Sequence, residues 1–149
     1  KGEMLYHYDM IRGDSGLDTI VVSEGPFDSA VFWDPGHSLG VPLLGKSMTQ
    51  WQAQVLADSK KRIVVCLDYD AEDASVRVLE ELESVGVKPW FIRWDPRCRS
   101  DPSDTGPVRC LELLNVYRLT PHSTAISRIC AASRETVAAD IFVLLAIWE

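Results

Sequence analysis

The stretch RIVVCLDYD, residues 62–70, decides the fold class of this chain. Residues 63–67 form an apolar, largely β-branched run, which is typical of a buried strand. Asp68 and Asp70 follow where that strand ends. In a sheet of parallel strands the carboxyl ends share one edge, and ligands bind at that edge. The stretch therefore predicts a buried strand that carries two carboxylates to a binding edge.

Strand and helix patterns alternate on both sides of this stretch. Strands are predicted at Thr19–Ser23, Val41–Leu44, Arg62–Leu67 and Val87–Trp94, and helices at about Pro26–Phe32, Thr49–Ala57 and Glu72–Val85. Such alternation is typical of a parallel sheet with right-handed crossovers. We expect an α/β fold with a mainly parallel four-stranded sheet flanked by helices over residues 1–106, where residues 1–16 are a lead-in. A helical extension is expected over residues 107–149.

Composition restricts the class of protein. The chain has 149 residues, 46% of them hydrophobic, which is enough for one domain with a real core. The net charge of −7 argues against a broad basic surface for nucleic acid. If the domain meets nucleic acid, either another domain supplies the basic surface or a metal offsets the acidic pocket. The chain, which starts at Lys1, is expected to be a fragment of a longer protein.

Cysteine usage and hydropathy bear on location. The four cysteines form no C-x-x-C pair, and the three histidines sit at no metal-ligand spacing, so a reducing, cytoplasmic setting without structural zinc is expected. The most apolar stretch, residues 137–148, contains Asp140 and is shorter than the roughly 20 residues of a membrane span. No membrane partner is expected.

Acidic residues follow three of the predicted strands. Glu24 and Gly25 follow the first, Asp68 and Asp70 the third, and Asp101 lies in the loop after the fourth. Carboxylates gathered on one sheet edge favour a divalent cation, and a cation there favours phosphate chemistry. The alternative is a set of solvated turns, with Asp70 capping the next helix.

Residues 40–47, GVPLLGKS, match the phosphate-loop pattern G-x-x-x-x-G-K-[ST]. The context favours another reading, because residues 41–44 are typical of a buried strand and residues 33–39 contain Asp-Pro-Gly-His-Ser where the motif needs a hydrophobic strand. Lys46 and Ser47 would still approach a phosphate from a strand end. Arg99 lies beside the acidic loop and would hold phosphate or neutralise that loop.

Taken together these motifs resemble the TOPRIM domain of bacterial DNA primases and phage primase-helicases, over roughly residues 5–106. Leu5-Tyr6 resembles the dipeptide before the first strand of those primases, and VVSEGPFD, residues 21–28, resembles their strand followed by Glu-Gly-x-x-Asp. LGKSMT, residues 44–49, resembles their segment before the second helix. The family's Asp-x-Asp and Lys-Asp-Pro-x-Asp are similar to residues 68–70 and 100–104.

The resemblance implies roles for these residues. Glu24, Asp68 and Asp70 would be catalytic, and the same three with Asp101 would hold Mg²⁺ or Mn²⁺. Gly25, Lys46, Ser47 and Arg99 would contact nucleotide phosphates, and Asp28 would either support the residues of the site or pack the helix. Tyr69 and Ser100 depart from the family pattern, which has Gly and Lys there.

The resemblance implies a nucleotidyltransferase module of a DNA primase, which contributes to RNA primer synthesis on single-stranded DNA. Template and nucleotides would be bound by the full-length protein, and a replicative helicase would be a further partner. Three alternatives stay open: a TOPRIM-type phosphodiesterase or nuclease, a P-loop NTPase, and a non-catalytic interaction module.

Overall fold

The computed structural model describes residues 3–13, 15–92, 101–107 and 110. Its helices are α1 (Tyr8–Arg12), α2 (Pro26–Val31), α3 (Gln50–Asp58), α4 (Glu72–Ser84) and α5 (Pro102–Thr105), and its strands are β1 (Thr19–Ser23), β2 (Ser38–Pro42), β3 (Arg62–Val65) and β4 (Trp90–Phe91). The predicted α/β class with a parallel four-stranded sheet is confirmed. Apart from residues 107 and 110, the expected extension over residues 107–149 lies outside the described residues.

The four strands lie in the order β2-β1-β3-β4, and every neighbouring pair is parallel. In the register, Val22 of β1 lies beside Val41 of β2 on one side and Val65 of β3 on the other. Parallel pairing places the carboxyl ends of all four strands at one edge. The central position of β1 therefore brings the residues that follow it between those that follow β2 and β3.

Both faces of the sheet are buried, as a parallel sheet requires. On one face, Ile20 and Val22 of β1 pack with Ile63 and Val65 of β3 beneath α1, α3 and α4. The opposite face holds a smaller cluster that contains Val21, Phe32, Val64, Cys66, Ile92 and Cys110. The strand sequences are apolar at consecutive positions because alternate side chains enter different cores.

Local sequence signals explain where the helices begin. Thr49 caps α3 by accepting a hydrogen bond from the Gln52 amide, while the Gln52 side chain accepts one from the Thr49 amide. This reciprocal capping box satisfies two amides that a helix start leaves without partners. Pro26, whose fixed φ suits a first turn, begins α2.

The predicted bounds of three strands differ from the structure, in which β2 ends at Pro42 rather than Leu44 and β3 at Val65 rather than Leu67. β2 begins earlier, at Ser38, because the buried Ser38 hydroxyl donates to the Phe32 carbonyl at 2.8 Å and so enters the core without losing a partner. β4 begins later, at Trp90, because Pro89 before it has no amide to pair. The lead-in also contains a helix that the sequence reading missed, α1, which buries Ile11.

Among the helices of the described residues, none combines the length and the apolar character that a membrane crossing needs.

Candidate functional site

Glu24 lies directly after β1, an inner strand, at the carboxyl edge of the sheet. The loop after β2 is bonded to it along the backbone: the Leu43 amide donates to the Ser23 carbonyl at 2.9 Å and the Leu44 amide to the Glu24 carbonyl at 3.0 Å. These bonds fix Glu24 against the neighbouring loop. Its side chain is 23% exposed, and its Oε2 is buried with no hydrogen-bond donor among the described residues.

Asp68 reaches the same edge from β3. Cys66 and Leu67, which connect it to the strand, are fully buried, and the Cys66 amide still donates to the Val22 carbonyl at 2.8 Å. Asp68 Oδ1 is buried and lacks a hydrogen-bond partner within the described part of the chain. Burial, followed by the negative charges of Glu24, Asp28, Asp101 and Asp70, raises the pKa of Asp68 from 3.8 to about 6.

Asp70 is more exposed and is paired with a lysine. Lys46 Nζ donates to Asp70 Oδ1 at 3.2 Å and lies 3.7 Å from Glu24 Oε2. The hydrogen bond to Asp70 raises the pKa of Lys46. The alternative role of Asp70 as a helix cap is wrong, because Ala71 occupies the N-cap position of α4 and no side chain bonds there.

Asp101 is the N-cap of α5. Its Oδ1 accepts from the Asp104 amide at 2.7 Å and from the Ser103 hydroxyl at 2.8 Å. Its charge contributes to the raised pKa of Asp68, which places the two carboxylates in one electrostatic environment. Capping occupies one oxygen of Asp101 and sets the direction of its side chain.

Asp28 joins the two loops that carry Glu24 and Asp101. It is 8% exposed, and its Oδ2 accepts from the Gly25 amide at 3.1 Å while its Oδ1 accepts from the Ser103 amide at 3.3 Å. A Cβ at position 25 would lie 2.9 Å from Asp28 Oδ2, so the glycine permits this approach. The resemblance implied a supporting or helix-packing role for Asp28, but no sequence signal indicated its bond to Ser103.

Among the described residues, those predicted to bind phosphate differ in their contacts and exposure. The Gly25 amide is engaged by Asp28, Ser47 is exposed beside Lys46, and Arg99 lies outside the described residues. Lys46 contacts two carboxylates, a pairing that the sequence reading missed. Its position just past a strand end was the available signal, because strand ends share the edge where the acidic residues lie.

The phosphate-loop pattern does not form a phosphate loop. Gly40, Val41 and Pro42 are part of β2 and pair with residues 21–23. Gly40 is required by packing, because a Cβ there would lie 1.9 Å from the Ser29 carbonyl oxygen of α2. Gly45 has a φ of 148°, which serves the turn after the strand. Both glycines of the pattern thus have structural explanations that involve no nucleotide.

The donor set suits a hard divalent cation. Carboxylate oxygens are the ligands that Mg²⁺ and Mn²⁺ prefer, and the oxygens of Glu24 and Asp68 that lack a hydrogen bond within the described residues are buried acceptors that a cation would satisfy. In the present arrangement of the described residues, no three Asp, Glu, His or Cys side chains converge closely enough to hold one ion. Joint coordination of one ion by three of these side chains would therefore require side-chain rotation at this edge.

Comparisons with known proteins converge on one family. A family model described as Toprim-like matches residues 21–105. The DNA primase of Enterococcus faecalis is 32% identical over 78 residues, and that of Halalkalibacterium halodurans is 30% identical over 89. These matches cover 52% and 58% of this chain but only 12% and 15% of the primases, so the chain spans a small part of their length.

Two further similarities differ in weight. The solved zinc-binding and RNA polymerase domains of the Aquifex aeolicus primase superpose with a TM-score of 0.65 at 23% identity, over 93% of this chain and 34% of that one, which shows a shared fold. Ribonuclease P protein component 2 of Pyrococcus abyssi is 50% identical over 38 residues, or 26% of this chain and 28% of that protein. So short a match carries no family assignment.

Proposed function

Because the chain belongs to the Toprim-like family, we propose that it is the Mg²⁺- or Mn²⁺-dependent nucleotidyltransferase module of a DNA primase. The observation that supports this most is a pair of buried carboxylate oxygens, on Glu24 and Asp68, that have no hydrogen-bond donor within the described residues. They lie at the sheet edge of a chain similar to DNA primases. In the cytoplasm the full-length protein would contact single-stranded DNA and nucleotides, and a replicative helicase would act beside it.

In this proposal Glu24, Asp68 and Asp70 would hold the cation, and the oxygen of Asp101 that does not cap α5 would add a fourth acceptor. When bound, the cation neutralises triphosphate charge and stabilises the leaving pyrophosphate. Glu24 lies next to the glycine turn and is the proposed acceptor for the proton of the attacking hydroxyl. Residues 1–106 form the catalytic unit, and residues 107–149 a helical extension.

Metal binding is the first test. The Asp68→Ala variant should bind Mn²⁺ at least about 10-fold more weakly than the unaltered chain in a titration followed by electron paramagnetic resonance, because it removes a buried ligand. Asp73→Ala is the matched control, since Asp73 is an exposed acid in the first turn of α4 and should leave affinity unchanged. Equal affinity in all three proteins would contradict the assignment of Asp68.

Activity is tested in the full-length parent protein. Primer synthesis on single-stranded DNA should fall at least about 100-fold on Asp68→Ala, because the cation supplies several kcal/mol of transition-state stabilisation. A second incubation with DNA and Mn²⁺ but no nucleotides distinguishes the nuclease alternative. Cleavage there, without primer synthesis in the complete assay, would reassign the site to phosphodiester hydrolysis.

A further inference from the structure

Lys46 places a positive charge among the carboxylates proposed to hold the cation. Its ammonium lies 3.2 Å from Asp70 Oδ1 and 3.7 Å from Glu24 Oε2. The contact to Glu24 is an ion pair longer than a hydrogen bond, which is why Glu24 Oε2 still lacks a donor within the described residues. One side chain from the β2 loop therefore bridges acids that follow β1 and β3.

The backbone directs Lys46 to this place. Leu44 is bonded to the Glu24 carbonyl and has a φ of 57°, in the left-handed region that a leucine rarely adopts. Gly45 continues the turn with a φ of 148°. These two unusual conformations turn the chain after β2. The turn brings Lys46 to Asp70, which lies 24 residues further along the sequence.

The lysine is held weakly enough to leave. Its side chain is 45% exposed and that of Asp70 is 58% exposed. Ion pairs between exposed groups are weak because water screens them and because two long side chains lose freedom. A divalent cation carries twice the charge of an ammonium, so it would compete well for the same carboxylates, and the two cations would repel each other at such distances.

We propose that Lys46 is a built-in counter-ion that occupies the carboxylate site in the metal-free protein and is displaced when the divalent cation binds. This inference rests on the proposed function, because it takes the cation site of Glu24, Asp68 and Asp70 as given. Displacement leaves a long, exposed ammonium beside the cation, within reach of an anionic phosphate group of the substrate. The same residue thus lowers metal affinity before binding and supplies positive charge to the phosphate afterwards.

The experiment is a Mn²⁺ titration of the 149-residue chain and three variants, followed by electron paramagnetic resonance. Lys46→Met should bind Mn²⁺ about 3- to 10-fold more tightly than the unaltered chain, because no ammonium must be displaced. Lys46→Arg keeps the charge and should bind with unaltered affinity. Lys88→Met is the matched control: Lys88 is exposed and precedes β4, at the opposite edge of the parallel sheet, so its loss should change nothing.

A second readout follows the lysine itself. In chains with ¹³C at lysine Cε, diamagnetic Mg²⁺ should shift the Lys46 resonance, identified by its absence in Lys46→Arg, and leave the Lys88 resonance in place. If the unaltered chain binds Mn²⁺ but Lys46→Met binds no more tightly, or Lys88→Met tightens binding equally, the counter-ion role is refuted and the proposed function stands. If no protein binds Mn²⁺, the proposed metal site fails, and this inference fails with it.

Discussion

The environment of Asp68 disfavours the ionised form of its carboxylate in the metal-free protein. Its carboxylate is partly buried, has one oxygen without a donor among the described residues, and faces four other acids. Such an arrangement favours the protonated form, so the pKa of Asp68 rises to about 6. A divalent cation would reverse this preference, since it stabilises the ionised form that the protein alone does not.

The raised pKa has a consequence for stability. The folded protein holds the Asp68 proton more tightly than the unfolded chain, so this group's contribution is present below pH 3.8 and is lost as the pH rises towards about 6. Above that pH the ionised Asp68 destabilises the metal-free protein. A rise in pKa from 3.8 to about 6 corresponds to about 3 kcal/mol, and screening of the partly exposed group by water reduces this to roughly 1 kcal/mol.

Asp68→Asn should therefore stabilise the metal-free protein at pH 7.5 by roughly 1 kcal/mol and leave it nearly unchanged at pH 4. Urea unfolding in the presence of a chelator, at both pH values, measures the difference. Added Mn²⁺ at pH 7.5 should stabilise the unaltered chain and not the variant, because it binds the ionised site. A variant that is less stable than the unaltered chain at pH 7.5 without metal would contradict this account.

At the scale of elements, α2 and β2 are fitted together at Gly40. The backbone of Ser29 passes so close that a Cβ at position 40 would lie 1.9 Å from its carbonyl oxygen. This close approach sets α2 against β2, next to the strand that precedes Glu24. The glycine that opens the phosphate-loop pattern is therefore a packing residue.

Gly40→Ala should destabilise the protein by about 2 kcal/mol or more, because helix backbone rather than a flexible side chain must move. Urea unfolding measures the loss, and Mn²⁺ affinity at a temperature where the variant stays folded reports on the displaced α2. A true phosphate loop would show the opposite pattern, with unchanged stability and lost nucleotide binding. Stability within about 0.5 kcal/mol of the unaltered chain would contradict the packing role.

At the scale of the whole molecule, Asp28 connects parts of the chain that are far apart in sequence. Its carboxylate joins the Gly25 amide to the amide of Ser103, which lies 75 residues after Asp28. Because the bond reaches α5, it positions Asp101, the cap of that helix, relative to the loop of Glu24. Asp28 is thus a buried acid whose two oxygens, both hydrogen-bonded, connect the two loops of the candidate site.

Asp28→Asn should weaken this connection between the loops, because one side-chain oxygen is replaced by an NH₂ donor that faces a backbone amide. We expect faster amide hydrogen exchange at Ser103 or Gly25 and a loss of about 1–2 kcal/mol of stability. Asp104→Asn is the matched control, as Asp104 is exposed in α5. Unchanged exchange at both amides would show that Asp28 does not hold the two loops together.

Much of the fold followed from local pattern. The strand at Thr19–Ser23 is determined by residues close in sequence, and its prediction is confirmed. The capping box at Thr49 is equally local. The helix at Tyr8–Arg12 was missed, since five residues give too little periodicity to detect. The predicted starts of β2 and β4 were wrong. One buried serine and one proline, rather than hydropathy, decide where strand pairing begins there.

The sequence by itself determined the parallel α/β sheet, and with it the gathering of Glu24, Asp68 and Asp70 at one edge, because alternating strand and helix patterns imply parallel strands whose carboxyl ends share an edge. Only the tertiary structure decided which oxygens are left without donors, that Lys46 bridges Glu24 and Asp70, and that Asp28 holds Ser103. Those facts depend on contacts of a few ångströms between residues distant in the chain. Such contacts are set by packing and turn geometry, which no local pattern encodes.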